Sequence, residues 1–379
     1  MYNRSIGLYI HIPFCKSKCH YCDFNSFAGK DELALPYFEA MKKEIRQYSD
    51  KLKDCSIKTV FIGGGTPSYV EACHIYEVVN IINQSFNIEY GAEVSIEANP
   101  GTLSFEKLMS YRVMGINRLS MGLQACQNRL LKEIGRIHSM EEFEENYNQA
   151  RKAGFKNINV DLIFGLPTQS IKDWNDSISS VVKLCPEHVS CYSLKIEDDT
   201  AFGRSLAEGG LTPLDDEVDR EMYYSAITEL EKHGLKHYEI SNFATPWREC
   251  RHNLIYWRGE QYLGVGAGAH SYLDDKRFNN ACDINSYISQ IGKSGSAIED
   301  TQLISKKDEI SEYLILGLRL IKGISADEFM SRFNEDLFEL YGNQINKLIK
   351  KHLLELDNGR LRLSCSGLDL ANQVFVEFI

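Results

Sequence analysis

Residues 7–24, GLYIHIPFCKSKCHYCDF, join a short apolar run to a loop carrying three cysteines, and their order decides how the rest of the chain is read. Gly7 to Ile12 reads as a strand. Cys15, Cys19 and Cys22 follow at C-x3-C-x2-C spacing, just past its end. Thiolates this close in sequence can converge on one face of an iron–sulfur cube, and three of them leave the fourth iron open to a ligand. A structural zinc ion needs a fourth protein ligand instead. His11 or His20 could supply it, so the spacing alone leaves zinc open.

Outward from this stretch, apolar runs alternate with segments of helical period, as in a parallel sheet with crossover helices. The expected strands are Gly7 to Ile12, Thr59 to Ile62, Glu93 to Glu97, Arg118 to Gly122, Asn157 to Ile163 and His188 to Leu194. The helices between them are expected at Leu35 to Lys51, Glu71 to Phe86, Phe105 to Met114, Met140 to Ala153 and Ile171 to Leu184, with another at Asp215 to His233. Right-handed crossovers leave a doubly wound sheet or a barrel-like one. The chemically suggestive residues fall at strand carboxyl ends, where a barrel gathers its chemistry, so the α/β reading becomes a (β/α)6 partial TIM-type barrel over residues 1–235. Residues 236–300 form a Gly-, Asn- and aromatic-rich connecting segment. Residues 301–379 read as a helical, winged-helix-like domain, with helices at Glu309 to Ile321, Ala326 to Phe333 and Gln344 to Leu353, a hairpin turning at Asp357-Asn358-Gly359 and a closing helix.

With 43% hydrophobic and 25% charged residues the chain can bury a sizeable core, and its net charge of −11 without a long basic block argues against a nucleic acid partner. No apolar stretch is long enough to span a bilayer and the start lacks a secretory pattern, so a cytoplasmic location is expected. Eleven scattered cysteines make a poor disulfide framework, and only the first three cluster. The other eight, Cys191 in HVSCYSL for example, read mostly as buried structural thiols.

VFIGGGTPS follows the second strand, and Gly63, Gly64 and Gly65 let backbone approach a ligand that a Cβ would block, although a glycine run is as often a turn. Later strand ends carry Glu97 in SIEANP, Gln124 in SMGLQ, Arg136 in GRIHS and Asp161 in NVDLIFGLP. Each alone reads as a solvated or paired side chain. Together they offer carboxylates for ribose hydroxyls, a bidentate cation for a carboxylate and an amide for polar edges.

The C-x3-C-x2-C segment with Tyr21 before its last cysteine resembles the radical-SAM superfamily. There, S-adenosylmethionine (SAM) binds the open iron of a [4Fe–4S] cluster and is cleaved to a 5′-deoxyadenosyl radical, while the protein binds, orients and excludes water. The wider set YIHIPFCKSKCHYCDF, GGGTPS, IEANP, SMGLQ and DLIFGLP resembles the oxygen-independent coproporphyrinogen III oxidase group and the related HemW group of haem chaperones, over essentially the whole chain. The resemblance implies that Cys15, Cys19 and Cys22 ligate the cluster. It also implies that Tyr9, Tyr21, Phe24, Gly64, Gly65, Thr66, Glu97, Gln124, Arg136 and Asp161 contact SAM, with Lys195 beside the adenosine.

Two departures set the chain apart from the oxidase group. That group carries a further cysteine two places after the third, where this chain has Phe24, and a long segment before the first strand, where six residues precede Gly7 here. HNLIYW, residues 252–257, instead resembles the H-N-x-x-Y-W haem motif of the HemW group. His252 can ligate haem iron, and Tyr256 and Trp257 can pack on a macrocycle. The bland reading is a hydrogen-bonded loop histidine with core aromatics. Cys250 is near enough to compete or assist, and Gly264, Gly266 and Gly268 either bring the chain close to the barrel mouth or form tight turns. The resemblance therefore implies a haem chaperone that binds cluster, SAM and haem and passes haem to a haemoprotein, for example one in a membrane. The alternative is a coproporphyrinogen III oxidase that decarboxylates two propionates. Catalytic residues and SAM cleavage stay open.

Overall fold

A computed structural model describes residues 4–379. Six strands run parallel side by side: β1 (Arg4–Ile12), β2 (Cys55–Gly64), β3 (Asn87–Ala98), β4 (Arg118–Gln124), β5 (Ile158–Phe164) and β6 (His188–Ser193). Each expected strand is present; β1 to β4 are longer than expected, by up to six residues at an end, β5 is shifted by one residue and β6 stops one residue short. Their helix-facing residues form one apolar core with the crossover helices. Leu8, Ile10, Ile62, Ile96, Leu119, Val160 and Val189 are fully buried in it.

The crossovers are α1 (Ala34–Lys51), α2 (Ala72–Ser85), α3 (Phe105–Val113), the short α4 (Asn128–Glu133), α5 (Met140–Lys152) and α6 (Ile171–Lys183). After β6 come α7 (Ala201–Ala207) and α8 (Asp216–Lys232). Capping boxes start two of them. Ser139 and Glu142 bond each other's backbone amides before α5, and Ser170 and Asp173 do so before α6, which fixes where each helix leaves its loop.

Residues 236–303, which have no clean period, complete the sheet at both edges. β7 (Lys236–Glu239) and β8 (Asn242–Ala244) pair antiparallel beyond β6, while β9 (Tyr262–Val265) lies parallel to β1, followed outward by antiparallel β10 (His270–Leu273), β11 (Lys276–Asn280) and β12 (Ile298–Leu303). The order β12-β11-β10-β9-β1-β2-β3-β4-β5-β6-β8-β7 has two free edges, so the sheet is open and the six-unit wall is a partial barrel. Between β8 and β9 lies α9 (Arg251–Trp257), and between β11 and β12 lies α10 (Ile284–Ser294).

The carboxyl-terminal unit has its own core of Leu314, Ile324, Phe329, Phe333, Leu348, Leu361 and Val374. It stacks α11 (Lys306–Gly317), α12 (Ala326–Phe333) and α13 (Leu337–Lys350) on a sheet of β13 (Ile324–Ser325), β14 (Leu354–Asp357) and β15 (Arg360–Leu363). Asn358 and Gly359 turn the hairpin with φ of 48° and 73°, the left-handed pair a two-residue turn demands. This is the expected winged-helix-like arrangement. It joins the main sheet by main-chain bonds from Ile240 to Arg319 and from Ile321 to Tyr238, each 3.1 Å.

Candidate cofactor site at the strand ends

The loop after β1 is held down at several points. Phe14–Cys15 pairs with Phe27–Ala28, and the amides of Gly65 and Thr66 donate to the carbonyls of Ile12 and Phe14, both at 2.8 Å. The glycines after β2 make this possible in a way the sequence alone does not show. A Cβ on Gly65 would sit 2.8 Å from the Phe14 carbonyl oxygen and 2.9 Å from Cys15 Sγ, and one on Gly64, with φ of 116°, would meet the His11 ring at 2.6 Å. The run makes room first for the cysteine loop and only second for a ligand. Farther along, Asn25 donates to the carbonyls of Ala267 (3.1 Å) and Cys282 (3.0 Å), packed so close to Gly268 that a Cβ there would strike it at 2.5 Å. Gly266 and Gly268, with φ of 107° and 71°, therefore serve close approach and tight turning together.

Cys15, Cys19 and Cys22 line one cavity of about 370 Å³. Cys15 Sγ lies 3.4 Å from Thr66 Oγ1, Cys22 Sγ lies 3.9 Å from Ser26 Oγ, and Arg136 donates from Nη1 to Cys19 Sγ at 3.7 Å. Burial raises the pKa of Cys15 and of Cys22, so a positively charged partner such as an iron centre is needed to hold them as thiolates. His11 is not free to act as the zinc ligand, since it is bonded through Nε2 to the Asn25 carbonyl (2.8 Å) and through Nδ1 to Tyr9 (3.0 Å), and His20, whose Nδ1 meets the Glu133 carbonyl (2.9 Å), does not line the cavity that holds the cysteines. Among the described residues no three His, Cys, Asp or Glu side chains close on a single metal ion.

Gly64, Gly65, Thr66, Glu97, Gln124, Arg136 and Asp161 line the same cavity, as do Tyr21, Phe24 and Lys195. Arg136 donates from Nη2 to Asn99 Oδ1 at 2.7 Å, and Asn99 donates to Thr66 Oγ1 at 2.9 Å, so one chain of bonds ties β4's loop to the glycine run. Burial lowers the Arg136 pKa, but Tyr21 and Cys19 more than offset this and it stays cationic. Glu97 accepts the Gly64 amide at 3.0 Å, and its pKa is pushed up to about 8 by burial and then by the charge of Asp161, so it is protonated at neutral pH. Gln124 is buried with a left-handed φ of 73°, and its Oε1 has no partner. A left-handed backbone at a buried residue whose side-chain acceptor is orphaned fits a site built for a polar ligand. These features fit a cluster with SAM beside it.

Tyr9 is the exception. It lies three residues before the end of β1, roughly 10 Å down the strand, and faces a separate, smaller cavity instead. Lys195 is largely exposed and paired with Glu197. Asn99, Ser120 and Tyr192 line the larger cavity without having been picked out in the sequence. Asn99 had a signal, since it follows Glu97 by two places at the same strand end.

His252, Tyr256 and Trp257 sit on α9. His252 and Tyr256, four apart, share the face that plugs the sheet interior, and Trp257 turns away beneath Arg319, whose guanidinium carbon is 4.4 Å from the ring centroid. His252 is buried, with Nδ1 2.8 Å from Thr59 Oγ1 and Nε2 2.9 Å from the Tyr256 hydroxyl. Burial and nearby Arg118 drop its pKa to about 3, so it is neutral. Cys250 caps the helix with its thiol against Glu93, and burial pushes its pKa up to about 12, which leaves it protonated.

Residues 9–181 match the Radical SAM superfamily and residues 304–370 the HemN C-terminal domain. Over 372 residues the chain is 37% identical to "Heme chaperone HemW" of Bacillus subtilis (strain 168), covering 98% of each, and it is 35% identical to the protein of the same name from Lactococcus lactis, covering 100% of this chain and 98% of that one. The solved structure of coproporphyrinogen III oxidase (HemN) from Escherichia coli superposes with a TM-score of 0.87 at 24% identity, over 99% of this chain and 90% of that one, which shows a shared fold.

Proposed function

The chain belongs to the HemW family within the radical SAM superfamily, and from that premise we propose that it is a haem chaperone, holding a [4Fe–4S] cluster, SAM and haem and passing haem to an acceptor haemoprotein. The observation that carries the reading is near-full-length likeness to HemW proteins, on a chain that has Phe24 where the oxidase group has a fourth cysteine.

Cys15, Cys19 and Cys22 would hold the cluster, and Gly64, Gly65, Thr66, Glu97, Gln124, Arg136 and Asp161 would hold SAM. The cluster and SAM together supply one-electron chemistry when bound. The protein's part is placement. Cationic Arg136 sets a carboxylate, neutral Glu97 offers both a donor and an acceptor to a diol, and Gln124 gives its orphaned oxygen a partner.

At α9 both His252 ring nitrogens face hydroxyls, Nδ1 at Thr59 and Nε2 at Tyr256, and the pair of bonds accommodates either tautomer; the one suited to haem carries the proton on Nδ1, donated to Thr59, and turns the Nε2 lone pair toward the Tyr256 hydroxyl. A haem iron would take that lone pair in place of Tyr256, while Thr59 keeps the ring oriented as outer partners of metal-bound histidines do. The cavity beside His252, about 170 Å³, is too small for a macrocycle, so haem entry requires α9 to move outward and lay Tyr256 and Trp257 against the ring. The acceptor haemoprotein and a cytoplasmic location belong to the same proposal.

Anaerobic reconstitution followed by haem and SAM titration tests it. One haem per chain is expected, lost or greatly weakened in His252→Ala. Absence of haem binding, or binding unchanged in that variant, would overturn the reading, as would conversion of coproporphyrinogen III to protoporphyrinogen by the reduced protein.

A further inference from the structure

Beneath the cluster-side cavity lies the smaller one, of about 170 Å³, whose wall includes Tyr9, Arg118, His252 and Asn253 and which shares Glu97 and Asp161 with the cavity above. Arg118, at the start of β4, is 2% exposed and its Nε has no hydrogen-bond partner. Burial pulls its pKa down, but the nearby carboxylates of Glu93 and Asp161 act on it through space, and it stays charged. Both nearby carboxylates are engaged elsewhere. Glu93 takes the amides of Arg251 and His252, each at 3.1 Å, and Asp161 accepts from Ser120 at 3.0 Å and Asn159 at 2.8 Å.

A guanidinium carries five donors in a planar fork that matches a carboxylate, and burying one without an acceptor is costly. At ~30 Å³ per water the cavity has the volume of about five or six waters, enough for a short carboxylate arm and far too little for a macrocycle. Two acids line the cavity: Glu97 is held neutral at neutral pH by burial and by the charge of Asp161, and Asp161 has its own charge spread over bonds from Ser120 and Asn159.

We propose that Arg118 is the recognition point for a carboxylate arm that enters this cavity, and that the arm is a propionate of the tetrapyrrole whose ring lies against α9. The assignment rests on the haem reading above. It makes the propionate, as well as the iron, a determinant of what the protein carries.

The test titrates the anaerobically reconstituted protein with haem and with haem dimethyl ester, whose propionates are capped and uncharged, reading the Soret band in wild type, Arg118→Gln and Arg118→Lys. Losing a charge-assisted bidentate contact should weaken the ester about ten- to a hundredfold relative to haem in wild type. Arg118→Gln should bind both at the ester's level, with Arg118→Lys between. Equal affinity for haem and ester in wild type, or discrimination that survives in Arg118→Gln, overturns the proposal. Should Arg118→Gln fail to retain its cluster, Arg118→Lys decides, and undiminished discrimination there overturns it. If neither haem nor ester binds any variant, the haem reading has failed. Propionate alone then tests the site: a saturable rise in unfolding temperature in wild type, reduced in Arg118→Lys, supports a carboxylate pocket, and no rise overturns it.

Discussion

Gly65→Ala is the sharpest probe of how the cysteine loop is held. Gly65 has no left-handed φ, so the substitution adds no backbone strain and acts through space alone. The new methyl would lie 2.8 Å from the Phe14 carbonyl oxygen, 3.0 Å from that of Ile12 and 2.9 Å from Cys15 Sγ, and two of those three neighbours are backbone that cannot rotate away. Relief requires the loop to lift off β2, which stretches the 2.8 Å bonds from Gly65 to Ile12 and from Thr66 to Phe14. Overpacking of this kind costs about 1–3 kcal/mol. Weakening two backbone bonds adds about 0.5–1.5 kcal/mol each. The total of about 2–6 kcal/mol is a large share of a typical stability of about 5–15 kcal/mol. It falls on Cys15, a proposed cluster ligand. The expected result is a folded protein with a lower urea midpoint that retains well under four irons per chain after anaerobic reconstitution. Gly29→Ala is the control: its φ is 66° but nothing lies within 4 Å of its Cβ position, so it should lose a little stability and keep its iron. A Gly65→Ala protein with full iron content and an unchanged urea midpoint would refute the packing argument.

Glu44 is fully buried and accepts from Gly266, Asn280 and Tyr287, yet no cation faces it, and burial raises its pKa from 4.5 to about 7. A raised folded-state pKa means that its contribution is whole below pH 4.5 and is lost as pH climbs toward 7, by about 3 kcal/mol in all at ~1.4 kcal/mol per unit. Urea midpoints of wild type and Glu44→Gln between pH 4 and 8 should diverge over that window against wild type, and a pH-independent difference would defeat the assignment. Arg136→Lys keeps the charge but loses the fork reaching Asn99 and Cys19, so SAM affinity should fall about tenfold, read by equilibrium dialysis. Undiminished affinity would remove Arg136 from the site. Cys19→Ser should abolish the cluster's brown visible absorption, and a variant with a full cluster would mean a wrong ligand set.

The six parallel strands were legible because an apolar residue recurs at every second place on the side that meets the helices, as Val94, Ile96 and Ala98 do in β3 and Leu119, Met121 and Leu123 in β4. Residues 236–303 were not. Their strands lie at sheet edges or run only three to six residues, and partners far away in the chain set their register: Gly7 pairs with Tyr262 and Phe243 with Val189. The strand-end residues of the larger cavity were legible because function there concentrates at one end of the sheet. Arg118 was not, since it begins a strand and nothing local tells a buried, unsatisfied arginine from one in an ion pair. Tyr9 lines the smaller cavity, which shares Glu97 and Asp161 with the larger one, and its place there was hidden for a related reason. A motif gives the residue but not its depth along the strand.

That depth accounts for the two sites sharing one interior. The Asn25 carbonyl in the cysteine loop holds His11 Nε2, His11 Nδ1 holds the Tyr9 hydroxyl, and the Tyr9, Phe61 and His252 rings stack in turn, with centroids 6.3 Å and 5.2 Å apart. Four of these five residues lie on β1, on β2 or in the loop after β1. The fifth reaches them because β9 lies parallel to β1, so that α9, immediately before it, is laid across the floor of the sheet. A chain built this way cannot open α9 to expose His252 without uncovering Phe61 and Tyr9, which are packed directly against the histidine that braces the cysteine loop. The haem site proposed at α9 and the cluster site proposed at the strand ends are therefore two faces of a single packed wall.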